Sequence, residues 1–476
     1  MSQRLIAAMA ALFAVTPLAA DAQATVTARG DSLLREPITF TLIGGARSGE
    51  LASLKVPLER GLRASPRIAI RWIRFPTTSP SPRPPIVFLA GGPGDAATRA
   101  FSTMPVAILD SLRSVADVIA FDQRGTGRSE PAMVCGPDGA LPVDTAPTAR
   151  MRDSVARAAA TRCLASVATR VPLAAFTTAA SVEDIESLRI ALAVPAISLL
   201  GGSYGTHLGI AYLRTHGTPA TRAVLAGVEG PDDTFKRPRT VDAVFAEIAR
   251  LSRTDSVFRT RTPLLAVFDK LRAQLIKTPI KLRQGTTTVV ITAWDLQRMV
   301  ADALGDLRAL LALPAAIYAI EKGDIAPFAR ATMQYRQARP INAMNVLMNC
   351  ASGASPARKR AIASELAGSR LGTVIDFPST AVCDLPGMPR LPDAFRGRAS
   401  SVSPVLFISG TLDGRTPPSN AEALLRDFPK GRHLVIEYQS HSLMGDRDVL
   451  SNMLLFLRGV DVASARITRP PPMFKH

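Results

Sequence analysis

The chain has 476 residues, 47% of them hydrophobic and 20% charged, which excludes a disordered or fibrous protein and suits a large catalytic domain with an insertion. Its formal net charge is +18, but Lys and Arg are spread along the chain and no nucleic-acid recognition motif accompanies them. We therefore expect a solvated basic surface and no nucleic-acid partner.

The N-terminus has the pattern of a secretory signal peptide. Arg4 precedes an apolar run of 16 residues from Leu5 to Ala20, and the small-residue cleavage signal Ala20-Asp21-Ala22 follows. A membrane anchor is the alternative, but a bilayer-spanning helix needs about 20 apolar residues. We expect residues 1–22 to be removed, the mature protein to be secreted or periplasmic, and no stable membrane anchor to remain.

The first half of the chain alternates short apolar strands with helices. The predicted strands are Ile38 to Leu42, Leu51 to Pro57, Arg67 to Phe75, Ile86 to Ala90, Asp117 to Phe121, Ala196 to Leu200 and Arg222 to Gly227. Helices are expected over Met104 to Val115 and over Ala180 to Leu192, where Ser181 and Asp184 have the spacing of a capping box. The first three strands are expected to form an antiparallel leading edge of the sheet, and the alternation of the later strands with helices is typical of parallel strands joined by crossover helices.

A mainly helical segment interrupts the alternation from 231 to 398. The predicted helices are Asp242 to Leu251, Leu264 to Ile276, Trp294 to Leu304, Leu307 to Ile320 and Pro356 to Ala367. Strands resume at Pro404 to Ile408 and Leu434 to Tyr438. We therefore divide the mature chain into a first core part, 23–230, a helical cap, 231–398, and a second core part with a C-terminal tail, 399–476.

Four cysteines fit an exported protein, because an oxidising compartment lets them pair. Three pairings of Cys135, Cys163, Cys350 and Cys383 are possible, and we expect sequence neighbours to pair, Cys135 with Cys163 and Cys350 with Cys383. A metal site is not expected, since the chain has no CxxC motif and no closely spaced His/Cys cluster.

Ser203 lies in Gly201-Gly202-Ser203-Tyr204-Gly205, between a buried strand and a helix, which is the arrangement of a nucleophile elbow. A serine nucleophile needs a base and an acid that orients the base. Among the five histidines, His207, His216, His433, His441 and His476, only His441 lies just beyond the carboxyl end of the last predicted strand. Asp413 lies beyond the preceding strand and is the expected acid, although an aspartate beside glycine is also common in plain turns.

The glycine loop after Ala90 is the expected partner of the elbow in an oxyanion hole. One donor should be the backbone amide of Tyr204, just after the nucleophile. The second should come from Gly91-Gly92-Pro93-Gly94, where Pro93 has no amide hydrogen and Gly91 or Gly92 must donate. We choose Gly92. The alternative is that this sequence is only a tight turn.

Five motifs together resemble the α/β-hydrolase peptidases of the proline iminopeptidase and tripeptidyl aminopeptidase type. They are AGGPG at Ala90 to Gly94, DQRGTGRS at Asp122 to Ser129, GGSYGT at Gly201 to Thr206, GTLDGRTP at Gly410 to Pro417, and Ser440-His441. The resemblance implies an α/β-hydrolase fold with a mostly parallel central sheet flanked by helices, and a helical cap inserted after the sixth core strand. It also implies hydrolysis from a free substrate N-terminus.

Two positions depart from the family pattern. Ala90 stands where many relatives have histidine, and the cap segment Met348 to Gly353 lacks the acidic residue that often follows the cap cysteine. An exopeptidase needs carboxylates to hold the substrate ammonium group. Glu229, Asp232 and Asp233, just past the strand that ends at Gly227, are the nearest candidates, and we choose Glu229. Each of the three is otherwise a loop carboxylate or a helix cap.

These observations predict an exported serine hydrolase that needs no cofactor and removes amino acids or short peptides from peptide N-termini through Ser203, His441 and Asp413. A carboxylesterase with the same triad is the main alternative. A non-catalytic binding protein on a hydrolase scaffold is the third hypothesis, and the complete set of triad candidates argues against it. The oligomeric state does not follow from the sequence.

Overall fold

The computed structural model describes residues 23–26, 32–217 and 222–476. The predicted signal peptide, residues 1–22, lies outside the described residues. Within these ranges no helix combines the length and the apolar character that crossing a bilayer requires.

The strands carry the chain through one large sheet and two small ones. They are β1 (Gln23–Val26), β2 (Ser32–Leu42), β3 (Gly45–Pro57), β4 (Arg67–Phe75), β5 (Ile86–Leu89), β6 (Val118–Asp122), β7 (Val134–Asp138), β8 (Ser198–Gly202), β9 (Arg222–Ala226), β10 (Ile280–Gln284), β11 (Thr287–Ile291), β12 (Arg339–Asn342), β13 (Val405–Gly410), β14 (Gly431–Ile436) and β15 (Ala465–Ile467). β2 and β3 are longer than predicted, because their outer halves are half-exposed and lack an apolar alternation.

The helices flank the large sheet or form the cap. They are α1 (Ala97–Ser102), α2 (Val106–Arg113), α3 (Ala149–Ala168), α4 (Thr178–Ala191), α5 (Tyr204–His216), α6 (Pro238–Ser252), α7 (Leu264–Lys277), α8 (Ala293–Ala303), α9 (Leu307–Glu321), α10 (Ala326–Arg336), α11 (Ala343–Ser352), α12 (Pro356–Leu366), α13 (Ser379–Val382), α14 (Pro418–Leu425) and α15 (Arg447–Leu457).

The central sheet has the order β1-β2-β3-β4-β6-β5-β8-β9-β13-β14-β15. Neighbours from β1 to β4, and β4 with β6, are antiparallel, and every later pair is parallel. Counted from β3 along this sheet's chain order, β9 is the sixth strand. The helical insertion follows it, so the α/β-hydrolase fold implied by the motifs is confirmed.

The parallel strands are buried on both faces. In β5, Val87 and Leu89 belong to one apolar core, which includes residues of α4 and α5, whereas Ile86 and Phe88 belong to the core that includes α1, α2 and α15. Successive side chains of a strand point to opposite faces, so a continuous apolar run is needed where helices cover both sides. This is why β5 and β6 appear as uninterrupted apolar segments.

The cap has a separate apolar core, formed mainly by residues of α6 to α9 and the hairpin of β10 with β11. It is also tied to the core domain, because β12 pairs antiparallel with β7. The buried side chains of α11, including Met344, Leu347 and Met348, pack into the core of the hydrolase domain. α11 therefore belongs to the cap by sequence and to the hydrolase domain by packing.

The cysteines form two disulfides in the expected pairs, Cys135 with Cys163 and Cys350 with Cys383. The first joins β7 to α3, and the second joins α11 to the residue that follows α13. Among the residues that the structure describes, no cysteine is free.

The predicted capping box of α4 is wrong. Thr177 is the N-cap, and its hydroxyl accepts a hydrogen bond from the Ala180 amide. Ser181 and Asp184 are buried inside the helix. The helix starts earlier than its apolar spacing indicates, so the serine and the aspartate fall beyond the first turn.

Candidate active site

Ser203 occupies the strained corner that a nucleophile elbow requires. It lies between the last residue of β8 and the first of α5, with φ of +54° and ψ of −128°. A positive φ is uncommon for a residue with a side chain and persists where the surrounding structure enforces it. The Ser203 amide donates to the Ala226 carbonyl (3.0 Å), which fixes the corner against the end of β9.

The two glycines that flank the elbow allow this close packing. A Cβ atom on Gly201 would lie 2.7 Å from the Gly205 carbonyl oxygen, and one on Gly205 would overlap the Leu89 carbonyl. α5 therefore approaches β5 closely only because both positions lack side chains. The two glycines are therefore required by close packing, in addition to the role of the serine between them.

Asp413 and His441 form a hydrogen-bonded pair. Asp413 Oδ2 and His441 Nδ1 are 2.8 Å apart, and Asp413 is fully buried. The Thr416 hydroxyl donates to Oδ2 of Asp413 (2.6 Å), while the amides of Arg415 and Thr416 donate to Oδ1 (2.8 and 2.9 Å). These donors fix the orientation of the carboxylate, and the carboxylate in turn orients the imidazole.

Ser203 and His441 contact two consecutive residues, Ala226 and Gly227, at the end of β9. The Ser203 amide bonds to Ala226, and a Cβ atom on Gly227 would lie 3.1 Å from His441 Cε1. Over the described ranges, no hydrogen bond joins the Ser203 hydroxyl to the imidazole. Such bonds are often long in structures without substrate and tighten when it binds. The fold thus brings the three predicted triad residues to the carboxyl ends of the parallel strands.

The glycine loop borders the serine. A Cβ atom on Gly91 would lie 3.1 Å from Ser203 Cβ, and Gly92 has φ of +107°. The Tyr204 amide opens α5 and has no acceptor within its helix. In the described chain, the Gly92 amide donates to no other backbone group. The Tyr204 amide thus directly follows the nucleophile, and the Gly92 amide follows the residue that borders it; their role as oxyanion donors stays a prediction.

α11 holds the glycine loop in place, which the sequence did not reveal. The side-chain amides of Asn342 and Asn345 donate to the carbonyls of Gly94 (2.7 Å) and Pro93 (2.9 Å). A Cβ atom on Gly94 would lie 2.7 Å from the Asn345 amide nitrogen. The loop is thus packed directly against the start of α11.

The other end of α11 reaches the elbow helix through a buried polar network. The Tyr204 hydroxyl lies 2.7 Å from the Thr178 hydroxyl. The Ser352 hydroxyl links this pair to His207, because it lies 3.1 Å from the Thr178 hydroxyl and 3.1 Å from His207 Nε2. His207 Nδ1 is 3.0 Å from the Gly230 carbonyl. Burial lowers the pKa of His207, so the ring is neutral and structural.

The motif from Asp122 to Ser129 has an architectural role. Asp122 accepts hydrogen bonds from the amide and hydroxyl of Thr98 and from the Arg128 amide. The fully buried Arg124 forms two bonds to Asp184, of 2.7 and 2.8 Å. This motif joins α1, β6 and α4 through the bonds of Asp122 to Thr98 and of Arg124 to Asp184.

Glu229 is buried near the elbow helix, with 4% of its surface exposed. Its amide donates to the Thr206 hydroxyl (2.8 Å), and its Oε2 accepts from Lys236 Nζ (2.7 Å). Burial opposes ionisation of the carboxyl, but the ammonium group of Lys236 outweighs it and lowers the pKa of Glu229. Its Oε1 is buried and has no hydrogen-bond partner. Glu229 is therefore an anion with one free acceptor atom.

The two neighbouring acidic candidates anchor the cap. Asp232 accepts from the amide and hydroxyl of Ser355, the N-cap of α12, at 2.7 and 2.6 Å. Asp233 pairs with Arg358 at 2.6 Å. Neither is a free carboxylate, and the alternative interpretation as structural loop residues fits them better than ammonium binding.

A carboxylate that the sequence did not single out, Asp376, lies near Glu229. It ends a short 3-10 turn of the cap, and its Oδ2 accepts from the Lys236 amide (2.8 Å). Burial raises the pKa of Asp376 to about 7, although Lys236 opposes the shift. No sequence signal marked it, because a single aspartate in a turn has no distinctive pattern. Within the described residues, no three His, Cys, Asp or Glu side chains gather as metal ligands would.

The comparisons with known families agree with this geometry. Residues 84–279 match a family model described as alpha/beta hydrolase fold, and residues 379–457 match one described as TAP-like protein. Together with the sheet order and the elbow, these matches show a protein of the α/β-hydrolase fold whose last part is a TAP-like segment.

Curated relatives have the names that the motifs indicated. Serine protease Hip1 of Mycobacterium tuberculosis is 30% identical over 206 residues, 40% of this chain and 37% of that protein. Proline iminopeptidase of Xylella fastidiosa is 29% identical over 149 residues, 30% of this chain and 32% of the relative. Tripeptidyl aminopeptidase of Streptomyces coelicolor is 28% identical over 174 residues, 35% and 32% of the two chains. The matches span about a third of each relative's length, and the resemblance to this type of protein is confirmed.

A solved proline iminopeptidase from Mycobacterium smegmatis aligns with 85% of this chain and 97% of its own, at 15% identity and a TM-score of 0.44.

Proposed function

We propose that this protein is an exported serine hydrolase that removes amino acids or short peptides from the N-terminus of peptide substrates. The observation that carries the proposal is the 2.8 Å contact between buried Asp413 and His441, beside a serine held at a strained strand-to-helix corner. This combination supplies an oriented base near a partly exposed nucleophile. Relatives named as peptidases support the peptide as substrate class.

In this mechanism, Asp413 accepts a hydrogen bond from the Nδ1–H group of His441, which leaves Nε2 free to take the proton of Ser203. Ser203 Oγ then forms a bond to the substrate carbonyl carbon, and the negative charge moves to the carbonyl oxygen. The amides of Tyr204 and Gly92 stabilise that oxyanion. His441 returns the proton to the leaving amine, and water hydrolyses the acyl-enzyme by the same steps in reverse order.

Glu229 is the proposed site for the substrate ammonium group. Its Oε1 is a buried acceptor without a partner, and an unpaired buried acceptor on an ionised carboxylate costs free energy until a donor arrives. An ammonium group supplies both the donor and the opposite charge. A substrate with a blocked N-terminus supplies neither.

Export is proposed from the signal-peptide pattern of residues 1–22 and from the two disulfides, which persist in oxidising compartments. The mature protein would then act in the periplasm or outside the cell.

A substrate panel tests the activity. Aminoacyl and tripeptidyl amides with free or acetylated N-termini are compared with short-chain esters, using the wild type and Ser203→Ala. We expect Ser203-dependent turnover of the free-amine peptides, and Glu229→Gln should raise KM for them without affecting esters. If the acetylated peptides and the esters turn over while free-amine peptides do not, the protein is a carboxylesterase and the peptidase proposal is wrong.

A further inference from the structure

A cationic cavity lies where the cap meets the core, beside the loop that carries Asp413. Its volume is about 240 Å³. Its lining contains four cations and one carboxylate, namely Lys236, Arg237, Arg358, Arg415 and Asp233. An excess of cations around an enclosed space is unusual, because like charges repel and each loses water.

Arg415 has no partner for its charge. Its backbone amide donates to Asp413, and a Cβ atom on Gly305 would lie 2.9 Å from its Nε. Across the part of the chain that the structure describes, its guanidinium makes neither a hydrogen bond nor a salt bridge. Burial lowers the pKa of Arg415, and the carboxylates of Asp302, Asp413 and Asp376 oppose this shift only from beyond salt-bridge distance. The five N–H donors of the Arg415 guanidinium, in the lining of the cavity, therefore have no acceptor among the described residues.

Two further cations around the cavity have donors to spare. Lys236 Nζ uses two of its three protons, on Glu229 Oε2 (2.7 Å) and on the Asp233 carbonyl (3.0 Å). Arg237 pairs with Glu365 through one terminal nitrogen, but its Nε is buried without a hydrogen-bond partner. Lys236 and Arg237 therefore each keep an N–H donor that has no acceptor among the described residues.

Arg358 completes the set. Its Nε donates to the Phe235 carbonyl (2.7 Å) and one terminal nitrogen to Asp233 (2.6 Å), which leaves the second terminal nitrogen unused. Asp233 is the one acidic side chain in the lining, and this pair neutralises it. Among the described residues, no other carboxylate lines the cavity to balance Arg415.

We propose that this cavity binds a small oxyanion, a carboxylate or phosphate group, with Arg415 as its main ligand. A guanidinium presents parallel N–H donors that match the two oxygens of such a group. The volume suits one anionic group with a few waters rather than a whole peptide. The anion comes either from solution, as free phosphate, or from an acidic group on a substrate. The first source is independent of the proposed hydrolase activity, and the second rests on it.

Direct binding is measured on the full mature protein by isothermal titration calorimetry with inorganic phosphate and with acetate. Ionic strength is held constant with sodium chloride, because salt screens exposed charges. We expect wild-type binding that weakens at least 10-fold in Arg415→Met. The matched control is Arg426→Met, since Arg426 lies just after α14, is exposed, and among the described residues bonds to the carbonyl of Ala423 alone. It should bind as the wild type does.

Thermal denaturation distinguishes specific phosphate binding from the general stabilising effect of phosphate on proteins. Phosphate stabilises many proteins by exclusion from the surface, and that effect would be equal in all three proteins. A specific site predicts an extra rise of the midpoint in the wild type and in Arg426→Met that is absent in Arg415→Met. Without phosphate, Arg415→Met should be no less stable than the wild type, because it removes an unpaired charge.

Kinetics distinguish the two sources. The substrates are two free-amine peptides that differ only by Glu or Gln at one position. If the anion belongs to the substrate, the Glu peptide should have the lower KM. Added phosphate and the Arg415→Met substitution should each abolish this difference in KM. A free-anion site predicts equal KM values together with the calorimetric binding. Absence of Arg415-dependent binding of phosphate and acetate, combined with no Glu preference, would overturn the proposal.

Discussion

The side-chain amide of Asn345 in α11 donates a 2.9 Å hydrogen bond to the carbonyl of Pro93, in the glycine loop that borders Ser203. The same helix ends at Ser352, whose hydroxyl joins the buried network of Tyr204. One cap helix thus contacts both segments that provide the proposed oxyanion donors. The Cys350–Cys383 disulfide ties this helix to the chain after α13.

Replacing Asn345 by leucine should lower kcat by about 10-fold or more while KM changes little, because misplacing an oxyanion donor weakens only transition-state binding. A peptidyl boronic acid, whose bound form is tetrahedral, should bind correspondingly more weakly.

The matched control is Asn452→Leu, which removes an asparagine hydrogen bond of the same length, 2.9 Å, to the Asp448 carbonyl far from the site. Equal kinetics for both variants would show that Asn345 has no positioning role.

Thr416 is expected to support the Asp413–His441 pair. Its hydroxyl lies 2.6 Å from Asp413 Oδ2 and 3.0 Å from His441 Nδ1. Thr416→Val should reduce kcat/KM by about 10-fold, the effect of losing one hydrogen bond to a charged group. Thr416→Ser keeps the hydroxyl and should retain most of the activity. Wild-type kinetics in the valine variant would contradict this role.

The buried pair of Arg124 and Asp184 should stabilise the fold. Asp184→Asn leaves Arg124 without its anion and should lower the free energy of unfolding by about 3–5 kcal/mol. Asp138→Asn, which breaks the solvent-exposed pair with Arg162, should lower it far less, because water and salt screen exposed charges. Urea denaturation of both variants measures the difference, and equal losses would contradict the structural role given to the DQRGTGRS motif.

Asp376 should make stability depend on pH. Its pKa is raised from 3.8 to about 7 in the fold, so its contribution is fully present below about pH 3.8 and is lost as the pH rises through about 7. Asp376→Asn cannot ionise. The free energy of unfolding of the wild type relative to this variant should therefore fall between pH 4.5 and pH 7.5 in chemical denaturation. A difference that is constant over this range would show that the carboxyl is not perturbed.

Much of the fold could be predicted from residue patterns. The buried parallel strands are continuous apolar runs, and Ser203, Asp413 and His441 follow three of them in the order that the fold uses. The outer halves of β2 and β3 could not be predicted, because half-exposed hairpin strands lack a clear apolar period. The start of α4 could not be predicted, because Ser181 is a better N-cap than Thr177 by residue type.

The contacts across the cap could not be predicted for a different reason. Asn342 and Asn345 are some 250 positions from the loop that they hold, and single asparagines carry no pattern of their own. The unpaired state of Arg415 depends on which carboxylates fold close to it. Glu229 was chosen for its position after β9, but its pairing with Lys236 appears only in three dimensions.

Labelling with a fluorophosphonate probe tests the central claim most directly, because the probe forms a covalent bond only with an activated serine. Digestion and mass spectrometry locate the adduct. We expect one adduct on the peptide that contains Ser203, no label in Ser203→Ala, and labelling slowed by at least about 1,000-fold in His441→Ala. Absence of label in the folded wild type, or an adduct on another serine that persists in Ser203→Ala, would contradict it.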